Sequence, residues 1–146
     1  MALYKNILMP TDGSVHSKAA IAHGLELAKV HDAEVTVLSV IDVSDVTSTL
    51  QGVSPGPYNA SIQGDVAEAA VKEAADMAIK AGVKVKALVK IGRPAADIIE
   101  MSGNYDLIVM GTQGRTGLPH LLIGSVAERV VREARCPVLV TKCKRA

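Results

Sequence analysis

The chain has 146 residues, with 16 Lys and Arg against 15 Asp and Glu, for a formal net charge of +1 at pH 7. Apolar residues make up 49% and charged residues 21%, so the composition is that of a globular chain, and the length suits one domain over residues 1–146. Near-neutral charge is a poor footprint for nucleic acid, and with no Phe, no Trp and three Tyr there is no stacking platform for single strands.

No apolar run approaches the roughly 20 residues of a transmembrane helix. The opening Met1-Ala2-Leu3-Tyr4-Lys5-Asn6 lacks the long apolar stretch of a signal peptide. The expectation is a cytoplasmic protein that engages neither membrane nor nucleic acid. Cys136 and Cys143 have neither C-x-x-C nor zinc spacing, and Cys136 is expected to be a buried free thiol.

The first strand is predicted over residues 4–9, where Ile7-Leu8-Met9 is continuously apolar, and Pro10-Thr11-Asp12-Gly13-Ser14 ends it in a turn. A helix follows over residues 17–31, with Ile21, Leu25 and Ala28 at helical spacing. His16, His23 and His31 fall in or beside it and are read as solvated. The second strand is predicted over residues 34–41. Residues 42–61 are rich in Ser, Thr, Gly and Pro and are expected to form a flexible loop, of the length that often serves as a lid or binding loop.

The second helix is predicted over residues 62–81. Val66, Ala70, Ala74, Met77 and Ala81 form the expected apolar stripe, Glu68 and Lys72 an i,i+4 pair, and Gly82 the residue that closes the helix. The third strand, residues 83–90, alternates Val83, Val85, Ala87 and Val89 with Lys84, Lys86, Leu88 and Lys90, as an exposed edge strand would. Pro94 opens a third helix that ends near Ser102-Gly103. Leu107-Ile108-Val109-Met110 is apolar throughout and reads as a central strand buried on both faces. A glycine-containing loop spans 111–123, a helix 125–134, a strand 137–141, and a basic tail 142–146. Regular alternation of strand and helix predicts a parallel sheet with helices on both faces. The last strand, Val138-Leu139-Val140, is an apolar edge that a partner subunit could cover.

Ligands of open parallel sheets bind beyond the carboxyl ends of the strands. Two segments there carry suitable chemistry: the turn around Asp12, and the loop that leads from Gly111 to the helix at Ser125. Glycines allow close backbone approach, and the free N–H groups of a helix N-terminus attract phosphate. Gly124, Ser125, Val126 and Ala127 offer such groups. The loop is neither a Walker A motif nor G-x-G-x-x-G. Ser125-Val126-Ala127-Glu128 also spells an S-x-x-E capping box. His120 is read as a surface residue. Gly52-Val53-Ser54-Pro55-Gly56 matches G-x-S-x-G but lacks the strand and helix a nucleophile elbow requires. Asn59-Ala60-Ser61 is a glycosylation sequon only in a secreted protein.

Gly111-x2-Gly114-x9-Gly124-Ser125 resembles the ATP-binding signature of universal stress proteins, and the likeness extends over the whole chain. Tyr4 to Ser14 looks like the family's opening strand and acidic turn, Ser39-Val40-Ile41-Asp42 like the end of its second strand, and Cys136-Pro137-Val138-Leu139-Val140 like its closing strand. The resemblance implies a Rossmann-like, five-stranded parallel sheet of order 3-2-1-4-5 that dimerises through strand five, at Val138, Leu139 and Val140. It implies that Pro10 and Thr11 line an adenosine pocket, that Val40 meets adenine, and that Met110 and Gly111 lie near the ribose. It implies that Gly114, Gly124, Ser125 and Val126 cradle phosphates, and that Asp12 holds Mg2+ or Mn2+ through them. Arg115 faces phosphate or solvent. Ala127 departs from the hydroxyl residue of some ATP-binding members and keeps only its backbone N–H. The implied function is a regulatory stress protein that holds ATP, with ADP and AMP left open. A slow ATPase or self-phosphorylating enzyme and a nucleotide-free dimerisation module are the alternatives, and protein partners are unknown.

Overall fold

The computed structural model describes residues 3–44, 60–113 and 123–142. In chain order the elements are β1 (Asn6–Pro10), α1 (Val15–His31), β2 (Glu34–Asp42), α2 (Ala60–Lys80), β3 (Val85–Gly92), α3 (Pro94–Met101), a 3-10 turn (Ser102–Asn104), β4 (Leu107–Gly111), α4 (Ser125–Glu133) and β5 (Val138–Thr141). The five strands form one parallel sheet in the order β3-β2-β1-β4-β5. This is the predicted order. The segment 45–59, with the Gly52 to Gly56 motif, lies outside the described residues, as do 114–122 and Cys143.

Each central strand serves two cores. Ile7 and Met9 of β1, Val35 and Val37 of β2, and Leu107 and Val109 of β4 pack with Ile21, Leu25, Val71, Ala74 and Ala78 from α1 and α2. The intervening Leu8, Leu38, Ile108 and Met110 pack on the opposite face against Ile98 of α3 and Ala127 and Val130 of α4. Successive strand residues point to opposite faces, so a strand buried on both sides is apolar at most positions, with Thr36 and Ser39 of β2 as buried polar exceptions. Ile7, Leu8, Ile108 and Val109 are fully buried. Each such aliphatic side chain contributes about 1.5–3 kcal/mol from removal of its surface from water.

The C-terminal end of α2 is closed by its own backbone. Past α2, the Gly82 N–H donates to the Ile79 carbonyl (3.0 Å) and Val83 N–H to that of Ala78 (2.9 Å). Gly82 has φ +75°, the left-handed conformation this closure needs and glycine adopts freely. The turn absorbs Val83, so β3 begins at Val85 rather than at the predicted 83 and continues to Gly92. No described helix is long and apolar enough to cross a membrane.

Two details of α2 differ from expectation. Its buried residues are Ala67, Ala70, Val71, Ala74 and Ala78, while Val66, Met77 and Ala81 are half-buried. The buried stripe is therefore rotated by about one residue. Lys72 pairs with Asp76 (3.0 Å) rather than with Glu68, and Glu73 reaches across to Lys18 of α1 (3.0 Å). These pairs are exposed and contribute little.

Candidate functional site

Pro10 ends β1 in register with Leu38 of β2. Thr11, 6% exposed, donates its N–H to the Leu38 carbonyl (2.8 Å), so the chain leaves the sheet at a fixed point. Asp12 then folds back on itself: its Oδ1 accepts from the Ser14 N–H (2.9 Å) and from the Ser17 hydroxyl (2.8 Å). Gly13, between them, has φ +81°. Ser14 is the N-cap of α1, and its Oγ accepts from the Ser17 N–H (3.2 Å). Asx-type bonding and helix capping together hold this turn rigid.

Across the sheet, Thr112 follows β4 and donates its N–H to the Thr141 carbonyl (3.0 Å), while its own carbonyl accepts from the Gly124 N–H. That last bond draws the two ends of the glycine loop together. The N-cap of α4 is Gly124, with extended backbone and no side-chain cap. Ser125 is thus the first helical residue, and the capping box that its spacing with Glu128 suggested does not form. Glu128 instead pairs with Arg132 (3.1 Å). Without a capping side chain, the first-turn N–H groups of α4 keep their partial positive charge for whatever enters the site.

Between these two structures lies a cavity of about 260 Å³, close to the lower end of ligand pockets, roughly 300 Å³. Ten of the twelve sequence-predicted site residues line it: Pro10, Thr11, Asp12, Val40, Met110, Gly111, Gly124, Ser125, Val126 and Ala127. Gly114 and Arg115 lie outside the described residues, as does His120. Ser17, Leu38, Pro94, Ile98, Thr112 and Gln113 line the cavity as well and were not anticipated. Pro94 and Ile98 arrive because β3 leads α3 back across the end of β2, which no local pattern reveals. Ser17 had a signal, the serine five residues beyond Asp12.

The lining mixes two kinds of surface. Pro10, Leu38, Val40, Pro94, Ile98 and Met110 are apolar, while Thr11, Thr112, Gln113 and Ser125 bring polar groups. Asp12 is the one charged side chain among the described lining residues, so an anion there would be met by backbone N–H groups. Among the described residues no three His, Cys, Asp or Glu cluster to hold a metal ion. A divalent cation would fit only with Asp12 as one oxygen ligand and the bound molecule or water supplying the rest.

Gly111 has a second reason to be glycine. A Cβ there would lie 2.9 Å from the His16 carbonyl oxygen, so α1 rests directly on the end of β4. His16 is correspondingly half-buried, with an unpartnered Nδ1, and is not the solvated residue expected; His31 lies edge-on to Tyr4, with ring centres 5.0 Å apart, while His23 is exposed. Cys136 is a half-buried free thiol, pushed up from its ordinary 9.0 by burial and by the nearby Asp106.

An open parallel sheet with helices on both faces and a cavity beyond the carboxyl ends of its strands defines an α/β protein of the doubly wound kind. The model of the universal stress protein family matches residues 3–142, and the chain belongs to that family. It is similar to universal stress protein MJ0531 of Methanocaldococcus jannaschii, with 43% identity over 96% of this chain and 83% of the relative. It is similar also to MJ0577 of the same organism, with 33% identity over 97% of each.

The solved structure of MJ0577 superposes with a TM-score of 0.80 over 99% of each chain at 30% identity. Two further structures share the fold at lower identity. One is a universal stress protein in complex with cAMP (TM-score 0.71, 22% identity, 97% of this chain and 99% of that one). The other is the universal stress protein from Archaeoglobus fulgidus in complex with dAMP (TM-score 0.70, 20% identity, 94% and 98%).

Proposed function

We propose that this chain binds an adenine nucleotide in the cavity between Asp12 and the start of α4, and that it acts as a nucleotide-dependent regulatory protein in a stress response. The observation that carries this reading is the uncapped N-terminus of α4, whose first residues line one cavity together with the apolar Pro10, Leu38, Val40, Pro94, Ile98 and Met110. Uncapped N–H groups suit phosphate, and the apolar lining suits a base. Family members that hold cAMP and dAMP on the same fold support the adenine class.

ATP with Mg2+ or Mn2+ is the proposed resident. Pro10, Thr11 and Val40 take the adenosine, Met110 and Gly111 lie near the ribose, and Ser125, Val126 and Ala127 donate to the phosphates, with Gly124, whose N–H is held by the Thr112 carbonyl, allowing their close approach and Gly114 and Arg115 proposed beside them. Asp12 supplies one oxygen to the cation. The protein is further proposed to be a homodimer through Val138, Leu139 and Val140. β5 ends the sheet order, and Leu139 is 37% exposed on it.

The test is to denature freshly purified protein, identify any released nucleotide by chromatography, and titrate the emptied protein with ATP and MgCl2. Stoichiometric ATP, or saturable binding on titration, is expected. No nucleotide and no binding would sink the proposal.

A further inference from the structure

We infer that Ser17 is a positioning residue for Asp12: its hydroxyl fixes the direction in which that carboxylate meets the cavity. The inference rests on the nucleotide reading above. Ser17 is 7% exposed, lines the cavity, and occupies the third position of α1. In a capping box that position carries Glu or Gln, whose side chain returns to the N-cap N–H. Here the N-cap N–H of Ser14 is already taken by Asp12 Oδ1 (2.9 Å). The capping duty of Ser17 is discharged by its backbone, which donates to Ser14 Oγ (3.2 Å).

The Ser17 hydroxyl is therefore not needed to start the helix. It donates to Asp12 Oδ1 (2.8 Å), accepts from the Asp12 N–H (3.3 Å), and accepts from the Ser14 hydroxyl (3.3 Å). One buried hydroxyl thus grips the same aspartate at backbone and side chain. The Asx bond from Ser14 and the bond from Ser17 reach the same oxygen from different directions, and the second narrows the range of side-chain torsions that the first allows. The hydroxyl relay from Ser14 through Ser17 to a charged acceptor strengthens each bond in it.

Two measurements test this. In the ligand-free protein, the Hα–Hβ couplings of Asp12 by NMR are expected to report one rotamer, and Ser17→Ala is expected to average them. Calorimetric titration with ATP and MgCl2 then compares wild type, Asp12→Asn, Ser17→Ala and the double variant. Each single change is expected to weaken binding about tenfold, the loss of one hydrogen bond to a charged group. The double variant is expected to bind no more weakly than the poorer single. A purely structural serine would leave the couplings unaveraged, and its loss would multiply with that of Asp12→Asn to about a hundredfold. Either result overturns the inference while leaving the nucleotide reading intact. Wild-type protein that binds no ATP overturns the nucleotide reading and this inference together.

Discussion

The carbonyl oxygen of His16 faces Gly111 so closely that a Cβ on residue 111 would sit 2.9 Å from it. Both partners at that contact are backbone, anchored in α1 and at the end of β4, so neither yields easily. Gly111→Ala is expected to force the two elements apart and to destabilise the fold by about 1–3 kcal/mol, the range of overpacked cores. Urea unfolding of the two proteins checks it. An unchanged midpoint would mean that the contact relaxes without cost.

Gly124 presents the opposite case. Its backbone, with φ −73°, is one that any residue adopts, but a Cβ would lie 3.1 Å from the Thr112 carbonyl oxygen. Gly124→Val is expected to spread the ends of the glycine loop and to weaken ATP binding at least about tenfold, roughly 1.4 kcal/mol or more. Its midpoint of thermal unfolding should stay within about 4 °C of wild type, because the strain is local. Calorimetry and a melting curve on one preparation decide. Normal ATP binding by the folded variant would remove this loop from the site.

Ser102 is fully buried where α3 gives way to the 3-10 turn. Its hydroxyl donates to the Ile99 carbonyl and accepts from the Arg135 N–H (2.9 Å), tying the end of α3 to the turn before β5. Ser102→Ala leaves the Arg135 N–H without that acceptor. The expected cost is about 1–3 kcal/mol, with no change in nucleotide affinity, because Ser102 does not line the cavity. Denaturant unfolding and a titration test the two halves of that statement separately.

Cys136 gives a pH signature. Burial, and then the Asp106 charge, raise its thiol above the ordinary 9.0. The folded state therefore holds the proton to higher pH than the unfolded state does. The resulting stability is fully present below the unfolded value and is lost as pH rises through the folded one. In a Cys143→Ser background, alkylation of Cys136 at pH 8 should be slower in the folded protein than in urea. Stability should decline above pH 9 more steeply than in a Cys136→Ala variant. Equal alkylation rates would contradict the shielding.

The three inner strands were legible because they are buried on both faces. A run such as Leu107 to Met110 has few other uses in a chain with so little aromatic content. Strand order came from family resemblance and agreed with the lysines that mark β3 as an edge. α2 was harder. Alanine occupies positions 67, 69, 70, 74, 75, 78 and 81, and a helix so rich in small residues offers several stripes of equal quality. The choice among them is made by Val71, which meets the core.

The site was legible at its two anchors and not in between. The Asp12 turn and the start of α4 announce themselves through glycine, serine and spacing. Pro94 and Ile98 are ordinary helix residues whose role depends on where a neighbouring strand ends. The start of α4 at Ser125 was read correctly, but the capping box was not borne out, because Gly124 and not Ser125 takes the N-cap position. The bond from Gly124 N–H to the Thr112 carbonyl fixes the boundary instead, and that bond spans a loop no local window contains.

The position of β1 has a consequence for synthesis on the ribosome. It lies between β2 and β4, and its far side is completed by Ile7 against Leu107 and by Asp106, whose carboxylate accepts from the N–H groups of Lys5 and Asn6 (2.9 Å each). β4 is translated only after β2, α2, β3 and α3. At about 5–20 residues per second, several seconds separate the emergence of β2 from that of β4. Throughout that interval β1, whose Ile7, Leu8 and Met9 are fully buried in the finished fold, has one open edge. The sheet therefore cannot close around β1 until β4 has emerged.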